Sequence, residues 1–166
     1  MQPNTVNLRY ILPGNSSSVV ITNTALATMN RFRQIPSHAK EAGGQLFAKF
    51  HGVDTIISEA TLPKWLDHRS RNGFHPNRWL QQREIYKHHT LGLHFVGDWH
   101  THPEPIPSPS QKDIHNMVEC FNQSVHELHA FVLIIIGTEP PPDGLYVATI
   151  ERGSTHAVVL SHLKMG

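Results

Sequence analysis

Stretches in which apolar and polar residues alternate occur in two pairs near the start of the chain, and each pair predicts a β-hairpin. The predicted strands are residues 7–12 with 17–22 and residues 44–50 with 55–62. Turns are supplied by Pro13-Gly14-Asn15 and by residues 51–54, since Gly, Pro and Asn favour tight-turn conformations. Consecutive hairpins favour a mostly antiparallel or mixed sheet over a doubly wound parallel one.

Apolar residues at helical spacing predict three helices around this sheet. The first is capped by Asn23 or Thr24 and stops at Pro36, and the second runs from Pro76, in its first turn, to His89. The third follows Ser110 and carries an apolar stripe of Ile114, Met117, Val118 and Phe121. The other predicted strands are 93–102, 129–137, 146–151 and 157–160, and the polar residues 63–75 are predicted to be irregular. The fold class is therefore mixed α/β (α+β), a sheet flanked by helices.

Composition narrows the class of protein. The 166 residues, 39% of them hydrophobic, predict a single domain over residues 1–166 with a proper core. A net charge of +1 argues against nucleic acid as a partner. The first twenty residues lack the apolar core of a signal peptide, and no apolar stretch is long enough to span a membrane, so no membrane partner is expected. One cysteine, Cys120, fits a reducing cytoplasm.

Histidine is abundant, with fourteen copies, so only spacing can identify a functional one. His100-Thr101-His102 ends a predicted strand, where period-2 alternation points both imidazoles to the same side. Asp113 lies in the first turn of the third helix, where the helix dipole keeps its carboxylate ionised. Two nitrogens and one oxygen make a three-ligand zinc set, with the fourth position open to water as in catalytic sites. This pattern predicts a metallohydrolase.

The segment between these ligands allows two interpretations. Ser110-x-x-Asp113 before an apolar stripe is also an ordinary capping box, and taken alone that is the commoner meaning. The combination favours the metal site, because the chain has no other His-x-His and four alternating prolines from Pro103 to Pro109 restrict the connector. Ser110 fits both roles, as a helix cap and as a hydroxyl pointing at the site.

Two carboxylates are candidates to assist the metal. Glu41 precedes Gly43-Gly44 at the start of a predicted strand, where small residues allow close backbone approach, but a solvated loop glutamate explains it equally well. Asp98 shares the strand face of His94, Val96, His100 and His102, opposite Phe95, Trp99 and Thr101. It either contacts an imidazole of the ligand set and helps to orient it, or is a solvated carboxylate near the end of the strand.

Gly97-Asp98-Trp99-His100-Thr101-His102-Pro103, followed by Ser110-Gln111-Lys112-Asp113 and preceded by the E-x-G-G of Glu41, resembles the JAMM motif of the MPN metalloprotease family. The resemblance implies a JAMM/MPN domain, similar to the cytidine-deaminase-like architecture. It also implies that His100, His102 and Asp113 bind Zn²⁺. Glu41 would be the general acid/base, and Ser110 would hydrogen-bond the oxyanion of the tetrahedral intermediate.

The family resemblance also implies an activity. Its members hydrolyse isopeptide or peptide bonds after the C-terminal glycine of ubiquitin or ubiquitin-like proteins. The segment GDWHTHPE, residues 97–104, is similar to the corresponding segment of bacterial members found beside ubiquitin-activating and conjugating-like enzymes. These members include the deconjugating peptidases of CBASS anti-phage operons. The expected partner is a protein substrate with a flexible C-terminal tail. A nucleobase deaminase is disfavoured because one cysteine cannot supply its Pro-Cys-x-x-Cys ligands. The non-enzymatic alternative is an MPN-type binding or scaffold module, which typically lacks metal ligands.

The sequence leaves the substrate-binding residues open. Trp65 and Trp79 flank the polar segment 63–78, which would either cover the cleft and hold an extended tail or simply pack as a long loop. Cys120 lies on the third helix beside the apolar stripe and is expected to be a small, unreactive thiol.

Overall fold

The computed structural model describes residues 7–14 and 16–164, so Asn15 of the predicted first turn lies outside the described residues. The helices are α1 (Asn23–Asn30), α2 (Arg78–Thr90) and α3 (Gln111–Gln123). The strands are β1 (Leu8–Ile11), β2 (Ser18–Ile21), β3 (Gly43–His51), β4 (Asp54–Ala60), β5 (His68–Ser70), β6 (Gly73–His75), β7 (His94–Thr101), β8 (Ala130–Ile136), β9 (Leu145–Glu151), β10 (Ala157–Val159) and β11 (Ser161–His162). Within the described ranges, no helix has the length and apolar character needed to cross a membrane.

Nine strands form one mixed sheet in the order β10-β9-β8-β7-β3-β4-β2-β1-β11. Two neighbouring pairs, β2 with β4 and β7 with β8, are parallel, and the other pairs are antiparallel. Both predicted hairpins, β1–β2 and β3–β4, are present. The predicted mixed, mostly antiparallel sheet flanked by helices is therefore confirmed, and β7, which carries His100, is its fourth strand, beside the central β3.

The two edges of this sheet are brought together by the end of the chain. Only Leu160 separates β10 on one edge from β11 on the other. Nine strands spaced at the usual interval would make a flat sheet about 40 Å wide, far more than one residue can span. The sheet therefore curls towards closure, and its inner face buries α1 through Ala25, Leu26 and Met29.

The outer face of the sheet carries α2 and α3. Met117 and Phe121 of α3 pack on the buried residues of β8. On β3, the ring of Phe47 stacks on His88 of α2 at 3.8 Å and lies 6.0 Å from the ring of Phe95. Because Phe95 in turn packs into the α3 cluster, α2 and α3 lie on the same face, with a cleft between them.

Two of the three predicted helix starts were slightly wrong, whereas α3 begins after Ser110 as predicted. The cap of α1 is Thr22, whose Oγ1 accepts a hydrogen bond from the Ala25 amide at 3.3 Å, and not Asn23 or Thr24. The cap of α2 is Asn77, whose Oδ1 accepts from the Leu80 amide at 3.1 Å, so Pro76 precedes the helix. In both cases a side-chain oxygen that reaches the third helical amide decides the start.

The segment 63–75 was predicted to be irregular, but it contains the β5–β6 hairpin. This hairpin is held by the loop that carries Glu41. The Glu41 amide donates to Ser70 O at 2.7 Å, and Arg69 Nε donates to Glu41 O at 2.7 Å. Such contacts are remote in sequence, so hydrophobic periodicity cannot reveal them.

The predicted faces of β7 were wrong at its beginning. Val96 packs into the same inner core as Trp99, whereas Phe95 packs into the outer cluster beneath α3. The register between β3 and β7 shifts at this point: Leu46 pairs with Gly97, whereas the next residue, Phe47, pairs with Phe95. Val96 is therefore an extra residue without a partner on β3, and it reverses the alternation of side chains. Gly97 makes the bulge possible with a φ of +154°, and any Cβ there would overlap Val132 O.

Candidate metal centre and cleft

The imidazoles of His100 and His102 and the carboxylate of Asp113 face one another at the end of β7. His100 Nε2 lies 3.1 Å from His102 Nε2 and 3.4 Å from Asp113 Oδ2, and His102 Nε2 lies 3.2 Å from Asp113 Oδ2. Tetrahedral ligands bound at zinc-like distances would be about 3.3 Å apart. The triangle therefore has the size that a tetrahedral ion requires, and no other such group of three occurs among the described residues.

The connection to α3 fixes the carboxylate of this triangle. Ser110 Oγ accepts from the Asp113 amide at 3.1 Å, and the Ser110 amide donates to Asp113 Oδ2 at 2.8 Å. Both halves of the capping box are thus present. The same Oδ2 faces both imidazoles, so capping and ligand geometry are compatible and the cap holds the ligand in place.

Asp113 and the imidazole of His102 shift each other's pKa. Burial alone would raise the pKa of Asp113, but hydrogen bonds with His100 and His102 hold it well below its usual range. Burial alone would lower the pKa of His102, yet the hydrogen bond with Asp113 raises it. An ionised carboxylate facing two imidazoles produces a negative potential between the three ligand atoms, which favours a cation there.

Thr101, between the two histidines, is fully buried on the opposite side of β7 and links the metal side to the Glu41 loop. Its Oγ1 accepts from the Ala42 amide at 3.0 Å and donates to Gln34 Oε1 at 3.0 Å. Gln34 Nε2 then donates to Ala39 O at 3.2 Å and to Arg71 O at 2.9 Å. A buried network thus sets the position of the Glu41 segment relative to β7, and no local sequence pattern indicates it.

Glu41 is not a solvated loop residue, because only 7% of its surface is exposed. Burial raises the pKa of its carboxyl, an effect that the nearby charges of His100 and His102 oppose. Glu41 therefore lies within electrostatic reach of the two imidazoles, on the wall of the same cleft. A carboxyl group whose pKa is raised towards neutrality suits proton transfer.

Glu104 is a further residue close to the ligands, and the sequence pattern did not indicate it. Its Oε1 lies 3.8 Å from His102 Nδ1, a buried nitrogen with no hydrogen-bond partner in the described part of the chain. Metal-binding imidazoles usually have a carboxylate or carbonyl at their second nitrogen. The proline connector holds Glu104 by its backbone, since the Thr138 amide donates to Glu104 O at 2.8 Å. A search for an acidic residue just after the second histidine would have found it.

The ligands open into a cleft of roughly 600 Å³. Residues 72–76, which include β6, form part of its wall, so this part of the segment 63–78 borders the cleft. The two tryptophans do not, because Trp65 and Trp79 are 85% and 62% exposed and lie outside the lining. Gly43 is required here, since a Cβ would lie 2.6 Å from the ring of Phe74.

Asp98 lines the same cleft deeper beneath α3. A contact with an imidazole was one of the two alternatives for Asp98, and no hydrogen bond joins it to either imidazole within residues 7–14 and 16–164. Asp98 lines the cleft beneath α3, with its Oδ1 buried. Burial raises the pKa of Asp98 to about 7. Burial, together with the nearby Asp98, raises the pKa of the Cys120 thiol to about 12, which accords with the expected unreactive thiol.

Comparison with known proteins gives the same family as the motif. The chain is similar to proteins called CD-NTase/cGAS isopeptidase from Escherichia coli (27% identity; 72% of this chain, 76% of the relative), Pseudomonas aeruginosa (30%; 60% and 65%) and Vibrio cholerae (26%; 72% and 76%). A solution structure of protein DSY2949 from Desulfitobacterium hafniense shares the fold, with a TM-score of 0.60, 19% identity and coverage of 88% and 90%. A family described as prokaryotic homologs of the JAB domain matches residues 19–148, well over half of the chain. The motif, the fold and this match agree, and the chain belongs to the prokaryotic JAB-domain (JAMM/MPN) family.

Proposed function

We propose that this protein is a zinc-dependent isopeptidase. It cleaves after the C-terminus of a ubiquitin-like protein, or of a protein conjugated by a bacterial ubiquitin-like ligation system. The observation that carries the proposal is the triangle of His100, His102 and Asp113 with Glu41 on the same cleft wall. The names of the relatives support an isopeptidase, and a single domain over residues 1–166 would carry the activity.

His100, His102 and Asp113 would hold the Zn²⁺, since two imidazoles and a carboxylate are a usual catalytic zinc set. When bound, zinc supplies Lewis-acid polarisation of the scissile carbonyl and lowers the pKa of water. Glu41 accepts a proton from the attacking water as the water oxygen bonds to the carbonyl carbon. Glu41 then delivers that proton to the amine as the C–N bond breaks, which completes the hydrolysis.

Ser110 would stabilise the oxyanion that forms in this reaction. Its oxygen already accepts the Asp113 amide at 3.1 Å, but a hydroxyl that accepts one hydrogen bond keeps its own proton to donate. Because Ser110 lines the cleft at the start of α3, the donated bond can reach a carbonyl oxygen bound beside the ligands.

The substrate's flexible tail would lie as an extended strand along β6. Among the described residues β6 pairs only with β5, and Gly73, Phe74 and His75 line the cleft, so the backbone edge of β6 is available. Edge addition recognises a tail through its backbone. Small residues near the scissile bond would be preferred, because the ring of Phe74, which lies close against Gly43, narrows the cleft there. A role in CBASS anti-phage defence, in the cytoplasm, accords with relatives named for CD-NTase.

The direct test is incubation with a reporter fused to the tail of a ubiquitin-like protein or a CD-NTase, together with a measurement of bound metal. We expect cleavage and about one zinc per chain. Glu41→Gln should lower turnover by about 10²–10⁴-fold while leaving zinc bound, since the carboxyl moves protons and is not a ligand. Glu127→Gln, at an exposed position, is the matched control and should be fully active.

Two outcomes would contradict the proposal. Undiminished cleavage by the Glu41→Gln variant would remove Glu41 from the mechanism. A purified protein that retains no metal and cleaves no tail fusion would support the scaffold module instead.

A further inference from the structure

The cleft continues past the metal ligands to a pocket between β7 and α3, and its floor carries an unexplained carboxylate. Asp98 Oδ1 is buried and has no hydrogen-bond partner among the described residues. An isolated buried carboxylate is costly unless it takes up a proton or a donor or a cation satisfies it. The catalytic roles proposed above make no use of Asp98.

The surroundings of Asp98 leave it free for a ligand. Met117 and Leu133 supply apolar walls, and Cys120 is a protonated, unreactive thiol. Arg78 lines the rim, but its Nη1 donates to Gln123 Oε1 at 3.3 Å and it forms no ion pair with Asp98 within the described ranges. The pocket therefore combines apolar sides with an unsatisfied acceptor at its end.

The distance between Asp98 and the metal ligand His100 is about the length of one long side chain. Asp98 and His100 are two residues apart on the same side of β7 and line one continuous cleft. Side chains in that relation are about 7 Å apart along a strand. This separation matches the reach of a long side chain on a residue that flanks a bond held at the metal ligands.

We propose that Asp98 is the floor of a specificity pocket that accepts the cationic side chain, lysine or arginine, of a substrate residue flanking the scissile bond. This inference rests on the proposed isopeptidase function. The methylene stem would pack on Met117 and Leu133, and the charged head would satisfy Asp98. An acidic side chain would be repelled, and an apolar one would leave the carboxylate unpaired, so both would be rejected.

The test uses a set of cleavable tail reporters that differ only in one residue on either side of the scissile bond: Lys, Arg, Met, Leu or Glu. At one of the two positions the wild-type protein should favour Lys over the isosteric Met by about tenfold or more in kcat/KM. In Asp98→Asn, which keeps the shape and removes the charge, this ratio should fall towards one. Asp143→Asn, an exposed matched control, should keep the wild-type ratio.

The outcomes separate this inference from the proposed function. Cleavage without any preference for Lys over Met, or a preference unchanged in Asp98→Asn, would overturn the pocket and leave the isopeptidase intact. Should Asp98→Asn lose zinc or unfold, the kcat/KM ratios of the wild-type protein for the Lys, Met and Glu reporters alone decide whether the pocket exists.

If no reporter is cleaved, the proposed isopeptidase function fails. Binding of the same peptides to the zinc-loaded Glu41→Gln protein, measured by fluorescence anisotropy, then supports the pocket if Lys binds tighter than Met and overturns it if not.

Discussion

The two walls of the cleft are built differently. The metal wall, comprising β7, the proline connector and α3, is anchored by the core: Trp99 is 1% exposed, and its Nε1 donates to Thr61 O at 3.0 Å. The opposite wall, the segment 63–78 with its β5–β6 hairpin, rests largely on polar side-chain contacts. Examples are Lys64 with Glu84 at 2.9 Å and Arg69 with Glu41 O at 2.7 Å. In the same wall Trp65 is 85% exposed.

The difference follows from what each wall must do. Metal ligands and a general base must be held to within a fraction of an ångström of their working geometry. A wall that receives an extended tail works mainly through its backbone edge and tolerates more movement. The comparison therefore predicts that small changes in the metal wall are costly, whereas large changes in the outer part of the opposite wall are tolerated.

The largest expected effect comes from removing a ligand. His100→Ala and Asp113→Ala should each abolish zinc binding and lower turnover by more than about 10³-fold, because two ligands cannot hold a catalytic ion. Metal content by atomic spectroscopy and cleavage of the tail reporter measure this. Ser110→Ala is the informative control: loss of its cap should cost about 1 kcal/mol of unfolding free energy while zinc remains bound. Full metal content in Asp113→Ala would mean that the carboxylate serves only as a cap.

The next largest effect should be on stability. Gly97→Ala places a Cβ against Val132 O at a positive φ, in the strand that carries the histidines. We expect a loss of about 3 kcal/mol or more in the free energy of unfolding, measured by urea denaturation. Gly92→Ala also has a positive φ, of +76°, but open space around it, so it should cost only about 1–2 kcal/mol. Equal losses in the two variants would show that the bulge tolerates a side chain.

The metal wall was also the more predictable wall, for a physical reason. His100, His102 and Asp113 lie within fourteen residues, and two local rules, strand alternation and helix capping, suffice to place them. Alternation failed where one extra residue at Gly97 reversed it, a bulge that only the partner strand β3 makes visible. In the metal wall, local patterning and capping therefore predicted the elements and the grouping of the three side chains, but not the faces before the bulge.

Residues joined through distant contacts were beyond the reach of local rules. Gly43-Gly44 and the family motif made Glu41 a candidate, but the alternative of a solvated loop residue stayed open, because the burial of Glu41 depends on β5 and β7. Thr101 and Gln34 are 67 positions apart, and their hydrogen bond has no sequence signature. The β5–β6 hairpin depends in the same way on the Glu41 loop. The wall that was mispredicted is thus the one held by long-range polar contacts.

A smaller effect should follow from breaking the link between the two walls. Thr101→Val keeps the shape but leaves the Ala42 amide and Gln34 Oε1 without their partner, so the Glu41 segment should shift. We expect kcat to fall by about 10–100-fold with KM and zinc content nearly unchanged. Thr101→Ser restores the hydroxyl and should recover most of kcat. A purely structural role for Thr101 would instead lower stability while leaving kcat of the folded protein unaltered.

The smallest effect should come from the outer part of the opposite wall. Trp65→Ala removes a large side chain that contributes little buried surface, so the free energy of unfolding should change by less than about 0.5 kcal/mol. Trp99→Leu, the buried counterpart, should lose about 3 kcal/mol, because it leaves a cavity and orphans Thr61 O. Urea denaturation of both variants measures the two losses in the free energy of unfolding. A Trp65 variant as unstable as the Trp99 variant would show that the two walls are equally embedded in the core. The contrast between a fixed metal wall and a loosely anchored tail wall would then have to be abandoned.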